Sequence, residues 1–368
     1  MAQHLHALKH GRTRSPSLSL SPLQHRYRPR GGGFQKSSKL FSSPSAASSS
    51  SPSSTTSSMF FVRTVLRRCL SPAETPGVLN RDAEETSMSK SEPEDAATLA
   101  KELNSAILNL EVECFADDGS GVDYAAVPGS DAFQTYTERT KALKNVSLDA
   151  LRALSEDTQR CFWLNLYNAL TVHGIVTAFA EAAEKKRSPP LSVLEIKDFW
   201  KSTAYDVGGV EFSLDDMEHG ILRGNRPHPT QKGATHYFQP SDTEKLKLVL
   251  EAEPRIHFCL VCGAQSCPPI RVFVENNLER GLVAAARGFC QREVEVDESR
   301  NTVTLSKIFD WYGVDFGAPD TTKLLTSVLG YLPDKDAQRA KLQTLLDKHA
   351  SPKVKYRAYE WRLNNKNT

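Results

Sequence analysis

No aspartate or glutamate occurs in the first 73 residues of this 368-residue chain. A folded surface carries charges of both signs, so this stretch is excluded from the globular part. It holds eleven lysines and arginines, from Lys9 to Arg68, among serine runs such as 48–51. A continuous apolar core near the start is missing too, which excludes a secretory signal. What is left, acid-free, serine-rich and arginine-containing, is the composition of an organellar transit peptide, read here as plastid ahead of mitochondrion. Met59 to Arg68 has the pattern of a short basic amphipathic helix, which suits a mitochondrial presequence or an internal start at Met59. The expected partner of this disordered tail is the organellar import machinery.

Other absences narrow the function. No run reaches the roughly 18 apolar residues of a membrane-spanning helix, so no membrane span is expected. No period of about 20 to 50 residues points to a solenoid or propeller. Cysteine is sparse: seven residues, an odd number at irregular spacing, favour free thiols over a disulfide framework. A basic excess is absent from the body, where 35 lysines and arginines face 44 acids once the tail's eleven cations are set aside. Nucleic-acid binding needs a basic footprint, and no such partner is expected.

The chain divides into the tail 1–73, a Glu- and Ser-rich linker 74–96, a helical extension 97–154 and a core 155–364. Helical spacing predicts a helix over 96–114 with Leu99, Leu103, Ile107 and Leu110 on one face, a short helix over 148–154 and a long one over 159–184. Tyr205 to Phe212 alternates around Gly208-Gly209, a hairpin signal. Ser213 and Asp216 then predict a capped helix ending at Gly224. Ile256 to Val261 is a short apolar run, read as a buried strand that Gly263 terminates. The fold class expected is α+β, mostly helical around a small β-sheet, in one compact domain.

Three constellations bear chemistry. Asn165 and Asn168 lie three apart in a strongly apolar helix, where an unpartnered amide is costly; they either tie down neighbouring loops or orient a reacting group. Asp215, His219 and Arg223 recur at helical spacing, so a carboxylate sits one turn before a histidine and can fix its tautomer. Cys259, Cys262 and Cys267 follow His257. On a strand, Cys259 and Cys262 would point to opposite faces about 10 Å apart, whereas Cys262 and Cys267 can converge across their loop. Pro268 and Pro269 suit a first helical turn, and a helix N-terminus behind Cys267 would lower its pKa.

Phe162 to Asn168, Phe212 to Arg223 and His257 to Pro269 resemble the three core motifs of the domain of unknown function 547 family. Leu305 to Tyr312, Asp315-Phe316 and Tyr356 to Asn364 resemble its later motifs, so the resemblance covers about residues 155–364. It implies a fold and domain limits rather than an established activity. Plant relatives can carry a leucine-zipper-like region or a glutaredoxin domain, and no thioredoxin-like unit is visible here.

The leading functional expectation is a thiol-dependent hydrolase or acyltransferase acting on a small molecule or peptide. Cys267 would be the nucleophile, His219 the base, Asp215 or Glu218 its orienter, and Asn165 or Asn168 polar support near the oxyanion. Two alternatives are a non-catalytic binding or scaffold module, and a metal site built from Cys262, Cys267, His219 and His257. No cofactor is expected.

Overall fold

The computed structural model describes residues 77–81, 94–348 and 351–366. The transit-peptide-like tail and most of the linker lie outside the described residues. Helix α1 (Ala96–Cys114) starts at Asp95, whose carboxylate accepts the Thr98 N–H at 2.8 Å, and it buries Leu99, Leu103, Ile107 and Leu110. Helix α2 (Asp131–Thr140) packs along α1, and the short α3 (Leu148–Arg152) is capped by Ser147. Helix α4 (Glu156–Glu184) is buried continuously from Gln159 to Val176. A helix covered on every side has to be central to its domain. Of the later helices, α6 (Thr321–Tyr331) packs on both α5 (Leu278–Glu293) and α7 (Ala337–Asp347).

The strands form two small sheets rather than one. Strands β1 (Ala204–Val207) and β2 (Val210–Ser213) make an antiparallel hairpin whose turn residues, Gly208 and Gly209, both have positive φ, as a tight right-twisted hairpin requires. Further along, β3 (Glu295–Asp297) pairs antiparallel with β4 (Thr302–Leu305), which pairs parallel with β5 (Lys353–Tyr356). Residues of α1, α2 and α4 belong to one hydrophobic cluster with Ile256, Phe258 and Val261. The helical extension and the core region therefore share their interior.

Two expectations about local structure are corrected. Ile256 to Val261 is buried but is not a strand: Pro254–Phe258 is a 3-10 turn, and irregular chain follows. An apolar run reports burial and not conformation. Here a strand neighbour is replaced by a side chain, because Asn168 donates to the Cys259 carbonyl at 3.0 Å and accepts the Val261 N–H at 2.9 Å. Nor does a helix begin at Pro268; the next regular turn is the 3-10 segment Glu275–Asn277. Cys267 has no helix N-terminus behind it.

The helix after β2 starts as its sequence predicts. The Ser213 N–H donates to Asp216 Oδ2 at 2.8 Å, and the Asp216 N–H donates to Ser213 Oγ at 3.1 Å. It then widens, and Asp216–Leu222 is π-helical, with the Arg223 N–H reaching the Glu218 carbonyl at 2.9 Å. Within it position 220 has to be glycine: the ring of Phe238 packs so close that a Cβ there would lie 2.0 Å from it. π-helical turns are uncommon and cluster at functional sites.

Candidate functional site

The π-helical segment, the loop after the 3-10 turn, the 308–316 region and the C-terminal segment enclose a cleft of about 560 Å³. Glu218, His219, His257 and Cys262 line it together with Trp200, Trp311, Tyr359 and Trp361. These four aromatic rings touch in a chain, with centroid separations of 4.7 Å for Tyr359–Trp361, 5.4 Å for Trp311–Trp361 and 6.1 Å for Trp200–Trp361. Three of the chain's four tryptophans thus face one cleft.

Of two neighbouring sulfurs, that of Cys262 lines the cleft and that of Cys267 is buried behind it, outside the lining. The loop 262–267 reverses at Gly263, which has φ +82 and no room for a Cβ because Ile175 Cδ1 would lie 2.4 Å from it. The C-terminal segment pins the loop: the Asn364 N–H donates to the Gly263 carbonyl at 2.9 Å, and the Gln265 N–H to the Arg362 carbonyl at 2.8 Å. Cys262 and Cys267 are thereby brought together, Sγ to Sγ 3.1 Å. Cys267 Sγ also receives the Cys262 N–H at 3.2 Å and lies 3.3 Å from the Tyr359 hydroxyl. Burial pushes the Cys267 thiol up, but hydrogen bonds from Cys262, Tyr359 and the loop amides outweigh it and bring the thiol down to about 7. Cys262 moves the other way, well above the ordinary thiol value, because its neighbour Cys267 and its own burial both disfavour a second thiolate. Cys259 and Cys290 are simply buried, and burial raises both.

Glu218 lines the cleft as well and accepts the Tyr167 hydroxyl at 3.0 Å. Burial would raise its pKa, yet His219, His257, the Tyr312 hydroxyl and Arg223 together hold it below the ordinary carboxyl value.

Beyond it is a buried network centred on Asp315. Its carboxylate accepts Arg223 Nε at 2.8 Å, His257 Nε2 at 2.7 Å and Arg226 Nη1 at 2.7 Å. These partners hold Asp315 well below the usual range against the cost of burial. Because the acceptor is ionised, His257 carries its proton on Nε2 and Nδ1 is its lone-pair nitrogen. The His257 ring stacks on Tyr312 with centroids 3.9 Å apart. Arg223 also donates to His219 Nδ1 at 2.8 Å and to the Pro227 carbonyl at 3.0 Å. Burial pushes His219 down to about 3. Asp215, 3.8 Å from His219 Nε2, is pushed up to about 7 by burial and by Glu218.

Several expected placements change. Asn165 donates to Asn104 and to the Phe273 carbonyl and accepts the Phe273 N–H, so, like Asn168, it ties down a loop with all its hydrogen-bonding groups engaged. Asn165 has no amide hydrogen left to support an oxyanion, and Asn168 holds the 259–261 segment with its carbonyl and one amide hydrogen. Among the described residues, no hydrogen bond joins Cys267 to His219. The proposed ligand set of Cys262, Cys267, His219 and His257 does not converge either; the converging group is Asp215, His219 and His228, with ligand-type atoms within 4.8 Å of one another. Residue-level reading of the sequence missed Asp315, Tyr359 and His228. Asp315 and Tyr359 fall inside motifs quoted above, whereas His228 has no local signal.

The model of the family described as "Protein of unknown function, DUF547" matches residues 151–290. The chain resembles that family. The matched span holds α4, the π-helical segment, Cys262 and Cys267, but ends before Asp315 and Tyr359. No curated protein and no solved structure matches the chain.

Proposed function

We propose that the chain is a thiol-dependent hydrolase or acyltransferase with Cys267 as nucleophile. The observation that carries this is the convergence of the Cys262 N–H, the Cys262 thiol and the Tyr359 hydroxyl on one sulfur beside an aromatic-walled cleft. A thiol held at about 7 is substantially ionised at neutral pH, and the thiolate is the nucleophilic form. Its attack on an acyl carbonyl forms a C–S bond and an oxyanion, whose collapse expels the leaving group and leaves a thioester on Cys267. Water or a second nucleophile then releases the acyl group and returns the thiolate. Among the described residues no hydrogen bond joins Cys267 to His257 either, so His257, which Asp315 orients and which keeps a lone pair on Nδ1, would replace His219 as the base acting on the attacking water rather than on the thiol.

The test is intact-mass analysis after exposure to activated esters such as 4-nitrophenyl acetate. One acyl adduct on Cys267 is expected, absent in Cys267→Ala and unchanged in Cys259→Ser. No adduct, or an adduct on another residue, overturns the reading.

A non-catalytic binding module is the second reading, favoured by the interlocked Asp315 network, which would equally well build a rigid receptor. It expects ligand binding without an acyl adduct. We also propose an organellar destination, plastid ahead of mitochondrion, from the acid-free tail: a fluorescent fusion of residues 1–80 should enter an organelle, and diffuse cytosolic fluorescence would refute this.

A further inference from the structure

Asp215, His219 and His228 look at first like a metal site, since two imidazoles and a carboxylate are a common set for zinc or non-haem iron. The outer ring nitrogens argue otherwise. A histidine that ligates a metal through one nitrogen keeps a proton on the other and donates it to a carboxylate, carbonyl or water. His219 Nδ1 instead faces Arg223 Nη1 at 2.8 Å, and a guanidinium has donors only. His228 Nδ1 receives the backbone N–H of Thr230 at 3.1 Å and lies 2.7 Å from the Thr230 hydroxyl; a proton on Nδ1 would face the amide hydrogen, so the amide favours the accepting form and the hydroxyl turns to donate as well. Both Nδ1 atoms therefore accept, and both rings carry their proton on Nε2. Binding a cation through Nε2 would require both rings to move that proton, and at His219 the new Nδ1–H would face a guanidinium donor.

The same wiring suits a different ligand. His219 is almost fully buried, and its nearest carboxylate oxygen, Asp215 Oδ1, is 3.8 Å from Nε2, beyond hydrogen-bond reach. The two imidazole rings pack edge to face with centroids 4.6 Å apart and line the cleft together with Asp215 and Lys201. Trp311, Trp361 and Tyr359 line the same cleft and offer an apolar surface.

We propose that His219 and His228 are locked by Arg223 and Thr230 as Nε2–H donors, and that with Asp215 they bind an acyl oxygen, carbonyl or carboxylate, of a ligand whose apolar body lies on the tryptophan wall. Arg223 is then a positioning residue that excludes metal and aims a donor into the cleft. This does not depend on Cys267 being a nucleophile, and it holds equally for a binding module. Asp215, pushed up towards about 7, adds an O–H donor when protonated.

The test is NMR of the full chain with ¹⁵N-labelled histidine. Both rings should appear as the neutral Nε2–H tautomer without any ligand. Zinc should leave them unshifted. Benzoate and benzamide are the probes: a shift of the His219 Nε2 signal with either one supports the receptor, and the pair tells a carboxylate ligand from a neutral carbonyl. Arg223→Gln should free Nδ1 and raise zinc affinity at least about tenfold, the scale on which outer partners of metal histidines act. An Nδ1–H tautomer, zinc binding by the unmodified protein that His219→Gln abolishes, or silence towards both aryl probes would each overturn the proposal. The tautomer is read on the unmodified protein, so it stands even if the Arg223 variant fails to fold.

Discussion

A single sulfur illustrates how neighbours set chemistry. Cys259, Cys262 and Cys267 lie within nine residues, yet burial raises Cys259 while donors hold Cys267 near 7. Alkylation by iodoacetamide should therefore fall mainly on Cys267, with a rate that rises through about pH 7 and then levels off. Tyr359→Phe removes one donor, so that midpoint should move upward and the rate at neutral pH drop several-fold. An unchanged midpoint would count against Tyr359 as an activating group. Asp315 is the other decisive residue, because three cationic or imidazole groups converge on its buried carboxylate. Asp315→Asn leaves them uncompensated and should cost about 3–5 kcal/mol, measured by denaturant unfolding.

The elements show why an unusual helix and an irregular loop stay in place. Asn168 supplies the hydrogen bonds that a neighbouring strand would give to residues 259–261, a short way before the two sulfurs. Asn168→Ala leaves a buried carbonyl and a buried N–H without partners, at about 1–3 kcal/mol each. The same variant should lose the selective reactivity of Cys267 while α4, judged by circular dichroism, persists. Asn168→Asp keeps an acceptor for Val261 but sets a carboxylate against the Cys259 carbonyl, and is expected to be no better. In the π-helical segment, Gly220→Ala drives a methyl into the Phe238 ring, which would have to move. A loss of about 1–3 kcal/mol is expected, on the scale of overpacked cores. A neutral result would mean that the ring yields freely.

For the whole molecule, buried imidazoles set the acid limit of stability. Burial holds His173 down to about 4 and His219 to about 3, and also lowers His257, all from 6.5. In the folded chain these rings stay neutral while the unfolded chain takes up protons below about 6.5, so stability falls as pH drops through that window. Asp215 works in the opposite sense. Raised from 3.8 to about 7, it holds a proton that the unfolded chain loses, and its contribution fades as pH rises through 7. Three histidines outweigh one carboxyl, so the unfolding midpoint in urea should be lower at pH 5 than at pH 7, and His219→Gln should flatten the slope. A midpoint that rises on acidification would contradict this. The core itself is tested by Trp163, fully buried against Phe162 and Phe212 with ring centroids at 5.0 and 5.2 Å. Trp163→Ala should cost about 3–5 kcal/mol.

Local signals sufficed wherever the physics is local. The cap at Ser213, the Gly208-Gly209 hairpin, the stripe on α1 and the strongly apolar character of α4 all follow from residues a few positions apart, and each was legible in the sequence. The nearness of Asp215, His219 and Arg223 was legible for the same reason. Tertiary structure decided what those side chains do. Whether residues 256–261 form a strand depended on the Asn168 amide of α4, and the sense of the His219 proton depended on an arginine that is also held by Asp315, 92 residues away. The donors on Cys267 likewise include a tyrosine 92 positions further along. Hydrogen-bond polarity and pKa are set by groups within a few ångströms, and in this cleft those groups come from distant parts of the chain.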